Sequence, residues 1–138
     1  MHLASKLRKL VDGDAVADDE QTLTEHGGDK WFAHESPEVV VFARSTDDVC
    51  KLLRFANENK IPVTARGAGY GYVGSCVPIR RGIALSLVRM NRIKEINFAD
   101  AIALVEPGVI TADLKRAVRE HKLFYPPDPA SLEHCTIG

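Results

Sequence analysis

Residues 62–76, Pro-Val-Thr-Ala-Arg-Gly-Ala-Gly-Tyr-Gly-Tyr-Val-Gly-Ser-Cys, constrain the fold more than any other stretch of the chain. Four of the ten glycines fall within it, at Gly67, Gly69, Gly71 and Gly74, with an apolar run before it (residues 61–65) and another after it (residues 83–88). A residue without a Cβ lets the backbone take positive φ and lie against a bulky group. Successive backbone N–H groups in such a loop form a concavity suited to an anion, typically a phosphate. The stretch therefore reads as a loop that wraps the pyrophosphate of a nucleotide; the plain alternative is a glycine-rich turn with no ligand.

Two familiar glycine motifs fail on context. Gly69, Gly71 and Gly74 match Gly-x-Gly-x-x-Gly as letters, but that motif needs a helix opening at its third glycine. Pro78 and Gly82 interrupt any helix there, and residues 75–82 lack a 3.6-residue apolar rhythm. Gly69 and Gly74 also have the spacing of a phosphate-binding loop. Ser75 and Cys76 stand where that loop continues Gly-Lys, so the lysine that reaches the phosphates is missing.

A chain of 138 residues suits one domain, and its 45% apolar and 27% charged residues are ordinary for a globular protein. The net charge of −1, with no basic run beyond Arg80-Arg81, offers no electrostatic footprint for nucleic acid. No apolar segment reaches membrane-spanning length, and no signal peptide is evident. Three widely spaced cysteines, Cys50, Cys76 and Cys135, make no disulfide framework and fit a reducing compartment, the cytoplasm.

Along the chain, Leu3, Leu7, Leu10 and Val11 share one face of a short helix expected over residues 1–11. Residues 12–21 read as an acidic loop, and residues 22–37 as an irregular segment anchored by Trp31. Residues 38–43 are a strand whose near-continuous apolarity predicts burial on both faces. Ser45 with Asp48 has the form of a capping box, followed by Val49, Leu52, Leu53 and Ala56 on one helix face running to about Asn59. Residues 61–65 form the next strand, giving a parallel βαβ unit whose second strand feeds the glycine loop. Downstream, residues 83–88, 93–98 and 101–105 are short strands with short connections, which predicts antiparallel pairing. Thr111 opens a helix with Leu114, Ala117, Val118 and His121 on one face. Residues 126–129, Pro-Pro-Asp-Pro, are a rigid extended piece, and residues 131–138 form no finished element.

Taken together, these pieces resemble the N-terminal part of an FAD-binding domain of the vanillyl-alcohol oxidase / p-cresol methylhydroxylase type. The likeness is to FAD-linked oxidases of the glycolate oxidase and D-lactate dehydrogenase group. It rests on Pro37-Glu38-Val39-Val40, Arg44 to Val49, Pro62 through Arg66-Gly67-Ala68-Gly69 to Gly74, Leu85-Ser86-Leu87 with Arg89-Met90-Asn91, Glu106-Pro107-Gly108-Val109, and Pro127-Asp128-Pro129 with Cys135-Thr136-Ile137-Gly138. The resemblance implies an α+β fold in which a small parallel βαβ part packs on a mainly antiparallel part, incomplete at its C-terminus. Residues 1–36 then form an N-terminal helix and irregular segment, and residues 37–138 the FAD-binding domain. By the same resemblance, FAD is held by Arg66, Gly67, Ala68, Gly69, Tyr70, Gly71 and Gly74 in the loop, with Pro127, Asp128, Thr136 and Gly138 in the later segment.

Relatives often carry Thr-Gly-Leu-Ser-Gly-Gly where this chain has Tyr70-Gly71-Tyr72-Val73-Gly74-Ser75. No loop residue is a histidine, so non-covalent FAD is expected. The implied parent chemistry is oxidation of a 2-hydroxy acid with hydride passing to the flavin, but the substrate domain lies outside these residues. The chain is then either a truncation or completed by a separate chain that carries the remainder. The alternative is a non-catalytic FAD- or nucleotide-binding module or a degenerate fragment. Other features take bland readings. His26 and His34 lack further ligands at metal-binding spacings, so no metal is expected. Cys76 is a small thiol near the loop, His134-Cys135 packs beside the flavin segment, and Asp128 between two prolines fixes a turn. Arg80-Arg81 is as much a solvated turn as a phosphate aid.

Overall fold

The computed structural model describes residues 2–138, so Met1, at the start of the expected first helix, lies outside the described residues. The elements are α1 (Leu3–Leu7), β1 (Val16–Ala17), α2 (Glu20–Glu25), β2 (Val39–Phe42), α3 (Thr46–Glu58), β3 (Val63–Arg66), β4 (Ile83–Ser86), β5 (Ile93–Asn97), β6 (Ile102–Val105) and α4 (Thr111–Arg119). They form a four-stranded sheet in the order β1-β2-β4-β3 and a two-stranded sheet of β5 and β6.

Residues 12–21 are not a plain loop. They hold a 3-10 turn, Gly13–Ala15, then β1, which pairs antiparallel with β2, and the start of α2. The Asp19 carboxylate caps α2 by accepting from Thr22 N–H at 2.9 Å.

Two parallel strands flank β4, with Val39 and Val63 both opposite Ile83, and Phe42 and Arg66 both opposite Ser86. The expected βαβ unit is present as β2-α3-β3, but its strands are not neighbours; β4 lies between them. This corrects the expectation that residues 83–88 pair antiparallel with the strands downstream. Only β5 and β6 do so, from Ile93 opposite Val105 to Asn97 opposite Ile102, with a shift of register between Ile93 and Glu95. The reason is burial. All four residues of β4 are buried, as a strand covered on both faces requires.

Alternation along the strands builds the first core. Val39, Val41, Ile83 and Leu85 pack with Leu52 and Ala56 of α3 and with Ala4 and Leu7 of α1. Each fully buried Leu or Ile contributes roughly 1.5–3 kcal/mol. The Ser45 hydroxyl accepts from Asp48 N–H at 3.1 Å while the Asp48 carboxylate accepts from Ser45 N–H at 3.1 Å, so the capping box is complete. Leu53 departs from the expected stripe and is exposed, because the buried face runs through Leu52 and Ala56.

A second, smaller core joins Val109, Leu114 and Val118 to Ile93, Ile96, Ala103 and Val105. On α4, Leu114 and Val118 are buried as expected; the helix ends at Arg119, so His121 lies beyond it, exposed and against Phe98, ring centroids 4.2 Å apart. At the open end of the β5–β6 hairpin, buried Glu106 accepts from Arg92 N–H at 3.0 Å and from its guanidinium at 2.7 Å. The Arg92 side-chain and backbone hydrogen bonds hold its carboxyl down to about 2, against 4.5 for the free group. The folded value lies below the unfolded one, so the stabilisation is present above about pH 4.5 and is lost as pH falls through 2. The Tm gap between the parent chain and Glu106→Gln should therefore shrink steadily over that window in an acid titration. A gap independent of pH would refute this account.

Candidate functional site

The site starts where β3 ends. Arg66 is the last residue of β3, and residues 67–82 carry the chain back to begin β4 alongside it. Parallel neighbours need a crossover of a dozen or more residues, and here the glycine-rich loop is itself that crossover. It leaves the C-terminal ends of parallel strands, where open α/β sheets place their ligands.

Arg66 is buried, 8% exposed, with its Nη1 donating to the Gly28 carbonyl at 3.1 Å. Its Nε has no hydrogen-bond partner among the described residues. Burial pulls this guanidinium below its ordinary value, opposed by the nearby Cys76 and Asp29 side chains. The guanidinium lies beneath Gly69, whose φ is +75° and whose missing Cβ would collide with Nη2. The backbone N–H groups of Gly69, Tyr70 and Gly71 donate to no other group among the described residues.

Residues 135–138 close the other side. Thr111 N–H donates to the Cys135 carbonyl at 3.0 Å, Ile137 N–H to Val109 at 2.9 Å and Gly138 N–H to Pro107 at 2.8 Å. These bonds pin the segment to the first turn of α4 and the stretch before it. The Thr136 hydroxyl accepts from Ala68 N–H at 3.3 Å and donates to the Gly138 carbonyl at 2.8 Å.

A cleft of about 410 Å³ results, lined by Arg66, Gly67, Ala68, Gly69, Tyr70, Gly71, Thr136 and Gly138, with Ala65, Ser75, Cys76 and Cys135. Such a volume lies within the range of small-molecule sites. Tyr70 also walls a second cleft of about 450 Å³ with Lys30, Tyr72, Pro129, Ala130, Ser131 and His134. There the Tyr70 and His134 rings stack, with centroids 5.2 Å apart and planes 13° apart, and Lys30 Nζ sits 4.5 Å from the Tyr70 centroid.

The remaining three residues taken from the sequence lie elsewhere. Gly74 packs under Trp31. Pro127 and Asp128 line neither cleft; the Pro127 carbonyl and the Asp128 carboxylate accept from Lys115 Nζ at 3.0 and 2.7 Å. That lysine holds the Asp128 carboxyl below the usual carboxylate range. Buried Lys115 carried no signal in the sequence, since it falls between apolar positions on a helix otherwise read by its stripe. Lys30 was missed because nothing local ties it to a loop 40 residues on. His26 and His34 bond through ring nitrogens to the Thr22 and Thr24 carbonyls, at 2.9 and 2.8 Å. Arg81 pairs with Glu35 at 3.6 Å and lines neither cleft.

Residues 37–138 match the family described as FAD binding domain. The chain belongs to that family. The FAD-binding domain is 41% identical over 102 residues to the glycolate oxidase subunit GlcD of Bacillus subtilis, covering 74% of this chain and 22% of that protein. It is 38% identical over 107 residues to the D-lactate dehydrogenase of Anaerostipes hadrus, covering 78% of this chain and 22% of that one. Among solved structures it superposes on p-cresol methylhydroxylase with a TM-score of 0.74 at 28% identity, over 87% of this chain and 24% of the other. The FAD-binding domain thus spans under a quarter of the length of these relatives. Its own residues fit FAD: the unpaired N–H groups of residues 69–71 and the guanidinium of Arg66 belong to residues that line one cleft, donors of the kind a pyrophosphate requires.

Proposed function

We propose that this chain holds FAD non-covalently for an oxidoreductase that oxidises a 2-hydroxy acid of the glycolate or D-lactate type. The observation that carries the reading is the convergence of Gly69, Tyr70, Gly71, Arg66 and Thr136 on one cleft. In this reading the N–H groups of residues 69–71 and the Arg66 guanidinium take the pyrophosphate. The second cleft, walled by Tyr70, His134 and Pro129, takes a planar part of the dinucleotide. When bound, the flavin would accept hydride from the hydroxy acid; the protein positions it and tunes its surroundings. The absence of histidine from residues 66–76 supports a non-covalent cofactor.

The substrate-binding part is supplied by further polypeptide, on this chain or on a separate one. Its support is twofold: coverage of 22% of the glycolate oxidase subunit and of the D-lactate dehydrogenase, and the exposure of four large apolar side chains, Phe98, Ile102, Leu104 and Phe124. No helix among the described residues is long and apolar enough to cross a membrane. The free cysteines support a reducing compartment, the cytoplasm.

The test is an FAD titration of the 138-residue chain followed by flavin fluorescence and Tm, with riboflavin, which lacks the pyrophosphate, as control. FAD at a hundredfold excess over Kd should stabilise the chain by about 2.7 kcal/mol. Riboflavin should not, and acid precipitation should release the flavin into the supernatant. A folded chain without saturable FAD binding would sink the proposal, and flavin retained in the acid pellet would refute its non-covalent part.

A further inference from the structure

Residues 28–31 lie outside the family match, which begins at residue 37, yet they contact the glycine-rich loop at three points. We infer that they form a strap that sets the shape of that loop, with Asp29 and Trp31 as positioning residues for the dinucleotide. The ligand part of this inference rests on the proposed FAD site.

The strap is built locally. An antiparallel bridge between Gly28 and His34 turns the chain back after α2, and Glu35 N–H donates to the Gly27 carbonyl at 2.9 Å. His34 Nε2 bonds the Thr24 carbonyl at 2.8 Å and holds the base of this turn. Its tip is thereby carried onto the loop. There the Gly28 carbonyl accepts from Arg66 at the loop's entry, and Lys30 N–H donates to the Gly71 carbonyl at 2.9 Å in its middle. At the exit, the Asp29 Oδ2 atom accepts from Gly74 N–H at 2.9 Å. The other Asp29 oxygen accepts from Trp31 N–H at 2.9 Å, which fixes the carboxylate and sets the indole beside Gly74. A Cβ on Gly74, at φ +72°, would lie 2.7 Å from Trp31 Cε3.

The strap therefore binds the loop through the Gly71 carbonyl and the Gly74 N–H, and leaves free the N–H groups of Gly69, Tyr70 and Gly71, which line the cleft. A loop held this way has its donors in place before the ligand arrives, so less ordering is lost on binding. Asp29 and Trp31 line neither cleft, so both act through the loop.

The experiment compares the whole chain with Asp29→Ala and Asp29→Asn, using hydrogen exchange of residues 69–76 without ligand and FAD titration. Trp31, the single tryptophan, reports the strap by its fluorescence. Loss of a charge-assisted hydrogen bond should speed loop exchange about tenfold and raise the Kd for FAD about tenfold, with β2 and β4 amides unchanged. Asp29→Asn keeps an acceptor oxygen and should stay within about threefold of the parent. Unchanged loop exchange in folded Asp29→Ala overturns the strap. If the parent chain binds no FAD, the flavin reading fails, while the exchange comparison still decides the strap. Should Asp29→Ala not fold, Trp31→Ala carries the same exchange readout from a residue 43% exposed and outside both cores.

Discussion

Gly67→Ala is expected to raise the Kd for FAD at least about a hundredfold while the chain stays folded. A Cβ at position 67 would stand 2.5 Å from the Gly138 carbonyl and closer still to the Thr136 hydroxyl. The Thr136 hydroxyl can move aside only by giving up its bonds to Ala68 N–H and to the Gly138 carbonyl, the contacts that join the loop to residues 136–138. Those residues are in turn anchored by Gly138 N–H on Pro107 and Ile137 N–H on Val109. Relief comes only by parting the loop from residues 136–138, which are the two walls of the cleft. A hundredfold loss corresponds to about 2.7 kcal/mol. Gly67 lies at the surface of the site and belongs to neither core, so Tm should change little. Circular dichroism paired with flavin titration checks both halves, and parent-like affinity in Gly67→Ala would show that the cleft is not the binding site.

The largest stability loss is expected at Gly108. This residue is buried where the two cores meet, between Met90 of the first and Val109 of the second. A Cβ there would collide with the Leu87 carbonyl and approach those of Met90 at 2.7 Å and Val88 at 2.9 Å. Three backbone groups cannot yield as a flexible side chain would, and one of them already accepts from Gly108 N–H at 2.7 Å. Gly108→Ala should cost about 3 kcal/mol, at the upper end for inserting a methyl group into a packed interior. For a chain of this size that lowers Tm by roughly 10 °C. A urea melt superimposable on the parent's would refute the packing account.

The features legible in advance were local. The Ser45/Asp48 capping box and the run from Val39 to Phe42 are complete signals within a few residues, and the structure carries both. The glycine loop predicted a concavity, and the structure gathers eight of the eleven residues named by the family resemblance around one cleft. The features that escaped were long-range or too short. β1 has two residues and α2 six, below the length at which an apolar period shows. β4 pairs with strands more than 15 residues upstream, whereas its short downstream connections suggested a hairpin. Lys115 and the strap were invisible for a related reason. Their partners are mostly backbone carbonyls and N–H groups, which every sequence supplies equally.

The strand order bears on how the protein is made. β2 and β3 are synthesised before β4 and do not touch; β2 has β1 on one edge, and its other edge, like β3, must wait for β4. During translation the chain therefore carries an unpaired β3 and an open edge of β2 until residue 86 has emerged, and β4 then pairs on both of its sides. The glycine-rich loop is the crossover that this closure fixes at both ends, and Thr136 and Gly138, which line the cleft, are synthesised well after β4. Non-local pairing of this kind is slow and leaves apolar strands open to wrong partners. At the proposed site FAD therefore binds only after the sheet has closed and residues 136–138 have docked, as a latch on a formed sheet and not as its nucleus. Flavin supplied during synthesis should raise the yield of native chain by preventing its reopening, without speeding its first formation.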